Sequence, residues 1–185
     1  ETGPAAVMFV GYHARIGGPA YGDPGGEFTP GLYVRTGHVI TSRGCPNHCP
    51  NCLVPGREGQ LRMLEVKPGW NVLDNNLLAC PESHVRKVVD MLASQRRRAE
   101  FTGGIEAARL VMNRWFIKAV TREIRLKVLF LAYDRPAEKR PVERAAKMLL
   151  DAGGWAAGTA RKKVMCYVLA GRSEERRVGK ECTIQ

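Results

Sequence analysis

Apolar positions along this chain follow two spacings in turn. Between residues 33 and 171, short apolar runs of the kind buried strands show alternate with segments whose apolar residues recur every third or fourth position, as on one face of a helix. The runs predict strands over 34–41, 71–79, 99–102, 126–133 and 164–169, with a further short strand over 61–66 inside an otherwise irregular stretch, 56–69. The run at 126–133 is the clearest, because it is nearly unbroken, as expected of a strand covered on both faces. Helices are predicted over 82–97, with Val85, Val88, Val89 and Leu92 as the buried stripe, over 106–121, and over 142–152, where Gly153-Gly154 supplies a left-handed cap. Asp74, Asn75 and Asn76 interrupt the second run, and Gly103-Gly104 cut off the third. Strands and helices in alternation predict an α/β fold built from parallel β/α units.

Outside this region the pattern stops. Residues 1–32 are rich in Gly and Pro, and Gly17-Gly18-Pro19-Ala20-Tyr21-Gly22-Asp23-Pro24-Gly25-Gly26 excludes helix and regular strand there; only 5–11 reads as a strand. Starting at Glu1 without a methionine, this segment reads as the end of an upstream region. The segment 172–185 looks like the in-frame translation of a sequencing adapter, with a charged disordered tail as the alternative; either reading denies Cys182 a role. The expected organisation is therefore 1–32 as a lead-in, 33–171 as the core, interrupted before its last strand and helices, and 172–185 as a tail.

The formal charge of +11 is compatible with a nucleic-acid partner. The basic residues are scattered, however, and the dense run Arg96-Arg97-Arg98 follows a helix, where cations oppose the helix dipole, so nucleic acid is not the favoured partner. No apolar run is long enough to span a bilayer and no signal peptide opens the chain, so a membrane association is not expected and the expected location is the cytoplasm.

The chemistry concentrates in one loop. Cys45, Cys49 and Cys52 stand in a C-x3-C-x2-C spacing, Cys45-Pro46-Asn47-His48-Cys49-Pro50-Asn51-Cys52. Three thiolates suit three corners of an iron–sulfur cube and leave the fourth iron open to another ligand. Zinc is an alternative, with His48 or Cys80 as fourth ligand, in a nucleic-acid-binding module. An electron carrier using Cys80 as fourth cluster ligand is another. A disulfide framework fits the uneven spread of the six cysteines poorly. Cys166, inside the last predicted strand, reads as core, and His84, in the first turn of a helix, as a capping or surface residue.

The cysteine spacing, and the lead-in Val39-Ile40-Thr41-Ser42-Arg43-Gly44-Cys45-Pro46, resemble the signature loop of the radical SAM enzymes. Asn51 departs from the family, which commonly has an aromatic residue before the third cysteine. The resemblance extends from about Gly17 to Gly171. It implies a [4Fe-4S] cluster on Cys45, Cys49 and Cys52 and S-adenosylmethionine chelated at the open iron. It also implies a low-potential electron donor, and reductive cleavage to a 5'-deoxyadenosyl radical that takes hydrogen from a substrate the sequence does not identify. The fold it implies is a partial parallel β/α barrel, incomplete at the C-terminal end, in which sites lie after the strands. Phe101-Thr102-Gly103-Gly104-Ile105-Glu106 is similar to the family's Gly-Gly-Glu element, which holds the methionine amine, although Ile105 intervenes and the segment follows the third main strand where the family uses the second. Asp74, Asn75 and Asn76 occupy that second position. The resemblance thus implies Gly103, Gly104 and Glu106, with Asp74, Asn75 and Asn76, as cofactor-binding residues. In some members a cobalamin-binding domain lies upstream; one predicted strand and a glycine loop do not establish one here.

Overall fold

Five of the apolar runs assemble into one parallel sheet. The computed structural model describes residues 25–49, 52–153 and 163–168; the predicted strand over 5–11 and the tail 172–185 lie outside them. In chain order the elements are β1 (His38–Val39), β2 (Ser42–Arg43), α1 (Val54–Glu58), β3 (Arg62–Met63), β4 (Asn71–Val72), α2 (Glu82–Ser94), β5 (Ala99–Glu106), α3 (Ala107–Met112), α4 (Arg114–Lys118), β6 (Leu126–Tyr133), α5 (Lys139–Asp151) and β7 (Lys163–Val168). The sheet order is β1-β4-β5-β6-β7, with every neighbouring pair parallel. A separate antiparallel pair, β2 with β3, brackets the cysteine loop. The chain is an α/β structure whose parallel sheet is flanked by helices.

The long central strand forms as predicted. Leu126, Val128, Leu129 and Leu131 of β6 are buried, and α2 and α5 supply matching stripes, Val85, Val88, Val89 and Leu92 on one and Val142, Ala145, Ala146 and Leu149 on the other. Phe101 and Phe116 meet edge to face at 5.7 Å in the centre of this core.

Several boundaries differ from the sequence expectation, each for a local reason. The predicted strand over 34–41 is reduced to β1, because the backbone turns just before it, with His38 N donating to Arg35 O at 3.0 Å. The run 71–79 keeps only β4 as strand. Its second half is a tight turn, Leu77–Ala79, because Asp74, Asn75 and Asn76 leave the ladder for side-chain partners. The strand predicted to stop at Thr102 instead runs on through both glycines to Glu106, at the cost of a bulge: Phe101 pairs with Leu129 but Ile105 already with Leu131. The helix expected over 106–121 breaks at Asn113 and ends in a π-helical turn, Ala119–Glu123, where the Thr121 hydroxyl donates back to Ile117 O at 2.7 Å. The irregular stretch 56–69 holds the end of α1 and β3. Finally, α5 begins at Lys139, not 142. Pro141 sits in its first turn, where no amide hydrogen is needed, and the preceding Pro136–Glu138 turn is fixed by the Glu138 carboxylate accepting from Asp134 N and Arg135 N at 2.7 and 3.1 Å.

The basic run after α2 is used structurally. Arg98 donates to Leu126 O at 2.7 Å, Arg97 lies over the Trp70 ring at 4.6 Å, and Arg125 donates to Arg96 O at 3.1 Å. Among the described residues no helix is long and apolar enough to cross a membrane.

Candidate cofactor site

The cysteine loop follows β1 of the parallel sheet and β2 of the antiparallel pair, and a buried acid fastens its root. Asp74, just past β4, accepts from Thr41 N, Thr41 Oγ1 and Ser42 Oγ, each at 2.6 Å. The carboxyl is 1% exposed, and burial pushes it up to about 6 against the opposing effect of those donors. Next along the chain, Arg43 Nη1 donates to Glu58 Oε1 at 2.9 Å and Gly44 N to Glu58 Oε2 at 2.9 Å. Asn75 Nδ2 donates to the same Oε2 at 3.1 Å. Asp74 and Asn75 are thus both committed to the frame that carries the loop.

Cys45 and Cys49 are half-buried and Cys52 is exposed. Cys45 Sγ accepts from Asn47 N at 3.4 Å and from Asn76 Nδ2 at 3.5 Å, and Cys52 N donates to Cys49 O at 3.0 Å. The Cys49 thiol is pushed up from its ordinary value, first by burial of the sulfur and then by Cys52 and Cys45, while the Arg135 guanidinium pulls it down. Cys52 is pushed up in the same direction by desolvation, with Cys45 and Asp134 adding to it. Cys49 and Cys52 thus both lie near enough to a neighbouring loop cysteine for its charge to oppose their ionisation, and a cation beside them would favour their thiolates. Among the described residues no three His, Cys, Asp or Glu side chains stand close enough together to hold a metal ion, and two loop residues, 50 and 51, lie outside the described set.

Glu106, at the C-terminal end of β5, is the second centre. Its Oε2 accepts from Asn76 Nδ2 at 2.6 Å, Asn47 Nδ2 at 2.9 Å and Arg109 Nε at 2.9 Å; Oε1 takes none of these. The side chain keeps 29% of its surface open. Asn76, 4% exposed, has its Nδ2 shared between Glu106 and Cys45, while its Oδ1 is buried with no partner among the described residues. One buried amide thereby joins the acid to the first loop cysteine.

The two glycines make this approach possible. A Cβ on Gly103 would fall 2.5 Å from Asp74 O and 2.6 Å from Leu73 C, so β5 lies against the backbone leaving β4 only because the side chain is absent. Gly104 has φ of +85°, the left-handed conformation that forms the bulge and carries Ile105 and Glu106 back into register. Behind it Tyr167 of β7 donates to Thr102 O at 3.1 Å and stacks on Phe130.

Of the residues expected from sequence, Cys45, Asn76 and Glu106 come together directly; Gly103 and Gly104 shape the turn that brings them there, and Asp74 and Asn75 lie beneath. Cys80 is buried beside Ser42 and Asp74, its thiol pushed up to about 11 by burial. Cys166 packs against the core, as expected. His84 is buried, not on the surface, and burial holds it below its ordinary value. His48 is exposed. Three contributors were not anticipated: Asn47, a loop residue between cysteines; Arg109, one helical turn beyond Glu106; and Arg135, which follows the Tyr133-Asp134 pair at the end of β6. Only Arg109 carried a signal, its i,i+3 spacing from the acid. Arg109 also lines an open groove of about 510 Å³ with Glu82, Met112, Asn113 and Trp115. No protein-family model matches the chain, nor does any curated protein or any solved structure.

Proposed function

We propose that this chain is a radical SAM domain of the partial β/α-barrel type, with Cys45, Cys49 and Cys52 as ligands of a [4Fe-4S] cluster and Glu106 as the residue that receives the amine of S-adenosylmethionine. The observation that carries the reading is the hydrogen-bonded link Cys45–Asn76–Glu106 after the strands of a parallel sheet, where β/α folds place their sites. It couples a three-thiol loop to an acid whose Oε1 takes no hydrogen bond among the described residues. When bound, cluster and cofactor together would supply one-electron cleavage of a sulfonium and hydrogen abstraction from a substrate, with electrons from a low-potential donor.

The chain's own residues divide that work. The three thiols would hold the iron. Glu106 Oε1 accepts from the ammonium, and the negative charge makes that bond stronger than a neutral one. Asn76 Oδ1 offers a second acceptor once the ligand opens the site. Asn47 and Arg109 hold Glu106 Oε2, so that the acid is oriented before the ligand arrives. Asp74, the competing acid, has little surface to offer and three donors already in place.

The test is anaerobic reconstitution with iron and sulfide, then reduction with S-adenosylmethionine present and assay of 5'-deoxyadenosine. Iron uptake and product formation are expected, both lost in Cys45→Ser, Cys49→Ser and Cys52→Ser, with iron uptake kept in Cys166→Ser. Zinc held in place of iron would overturn the reading in favour of a zinc module. A cluster without product would instead indicate an electron carrier.

A further inference from the structure

We infer that the buried Arg43–Glu58 pair, extended by Gly44 and Asn75, is a positioning clamp that sets the two ends of the cysteine loop against each other. This rests on the cluster reading above.

The clamp joins three segments that are separate in sequence. Arg43 stands two residues before Cys45, Glu58 six residues after Cys52, and Asn75 in the turn after β4. All converge on one carboxylate: Arg43 Nη1 on Oε1 at 2.9 Å, Gly44 N and Asn75 Nδ2 on Oε2 at 2.9 and 3.1 Å. The carboxylate side chain is 0% exposed and that of Arg43 1%. From the outer side, Arg62 of β3 donates to Glu58 O at 2.9 Å, so the short helix α1 is held by its backbone as well. A pair this deep is not explained by stability. Removing two charges from water offsets most or all of their attraction, and apolar residues of similar volume often serve a fold as well or better. What an apolar pair does not supply is direction. Three donors of fixed geometry on one planar carboxylate define where Gly44 and α1 stand relative to each other, and the cysteines continue from those two points. The same carboxylate ties both to the Asp74-Asn75-Asn76 turn, which also carries the amide on Cys45 Sγ. The donors on Cys45 Sγ and on Glu106 come from Asn47, Asn76 and Arg109, so Glu58 and Arg43 act through the loop.

The variant that separates positioning from folding is Arg43→Met with Glu58→Met in the full chain. Thermal unfolding of the unloaded protein reports the fold; iron and sulfide per chain after anaerobic reconstitution, and the low-temperature EPR spectrum of the reduced protein with and without S-adenosylmethionine, report the loop. The double variant is expected to unfold near the parent's midpoint but to bind several-fold less iron, with altered EPR lines in what remains. A folded double variant with the parent's iron content and spectrum overturns the clamp while leaving the cluster reading intact. Should the double variant not fold, Glu58→Gln decides. It keeps the size but turns an amide donor toward one of the three donors, so reduced iron content or a changed spectrum is expected, and parental values of both overturn the clamp. A parent chain that takes up no iron overturns the cluster reading and this inference together.

Discussion

Replacing Asp74 by Asn should make the protein's stability less sensitive to pH, and the size of the change follows from where the carboxyl sits. Two effects compete on it. Burial disfavours the charged form, while hydrogen bonds from Ser42 Oγ, Thr41 Oγ1 and Thr41 N favour it; burial wins, and the carboxyl rises from 3.8 to about 6. A displacement of that size corresponds to about 3 kcal/mol between the two protonation states. Because the folded-state value lies above the unfolded one, the folded chain keeps a proton that the unfolded chain has released across roughly pH 4 to 6. The stability this contributes is complete below the unfolded value and is lost as pH rises through the folded one. Asparagine never ionises, and it fits the site. Its oxygen can take the place of Oδ1 opposite Thr41 N, and the two hydroxyls facing Oδ2 can rotate to accept from its amide.

Denaturant unfolding of parent and Asp74→Asn at intervals from pH 3.5 to 7.5 measures this directly. Groups common to both proteins cancel in the difference, which should move in favour of the variant by about 3 kcal/mol across the range, most steeply between about pH 4 and 6. A difference that stays constant, or that moves in favour of the parent as pH rises, would refute the reasoning. A constant difference would mean that the hydrogen-bond donors just offset burial, and one that moves toward the parent that they outweigh it and hold the folded carboxyl below its ordinary value.

Three further outcomes are expected. Glu106→Gln should leave iron content unchanged and weaken S-adenosylmethionine binding by about 1.5–3 kcal/mol, the range for a hydrogen bond to a charged group; equilibrium dialysis showing parental affinity would remove the acid from the site. Gly103→Ala should lower stability by about 1–3 kcal/mol or more, since the new methyl meets backbone at 2.5 and 2.6 Å and not a side chain that can swing aside; an unchanged denaturation midpoint would contradict the close approach of β5 to the chain leaving β4. Phe101→Ala, which removes a ring that is 1% exposed and edge-on to Phe116, should lower stability by about 3–5 kcal/mol in the same assay.

Periodicity located the parallel α/β architecture because its main signals were strong and local. The unbroken run of β6 and the stripes of α2 and α5 need no distant partner to be read. Boundaries failed where a side chain or a proline altered the backbone's options. Pro141 concealed the start of α5, although proline is harmless in a first turn, and Thr121, bonded back to Ile117 O, marks the end of a helix whose spacing continues. In sequence the two glycines signal a stop, because glycine commonly weakens or ends a strand. Here they permit a bulge, a choice made by the neighbouring strand β6, which continues to pair with Ile105 and Glu106.

The candidate site shows the same division between what spacing can and cannot express. Sequence position offered two acids, Asp74 after one strand and Glu106 after the next, with no means of ranking them by chemistry. Packing ranks them. Asp74 lies under the loop with both oxygens occupied by Thr41 and Ser42, so its charge is a burden that burial works to neutralise. Glu106 is carried past the glycine bulge to the C-terminal end of β5, where Asn76, Asn47 and Arg109 occupy a single oxygen and the side chain stays 29% exposed. The bulge that sequence reading took for a strand end is therefore what distinguishes the two carboxylates. If β5 ended at Thr102, Glu106 would not be held beside Asn76, and the link from Cys45 through Asn76 to this acid would be lost.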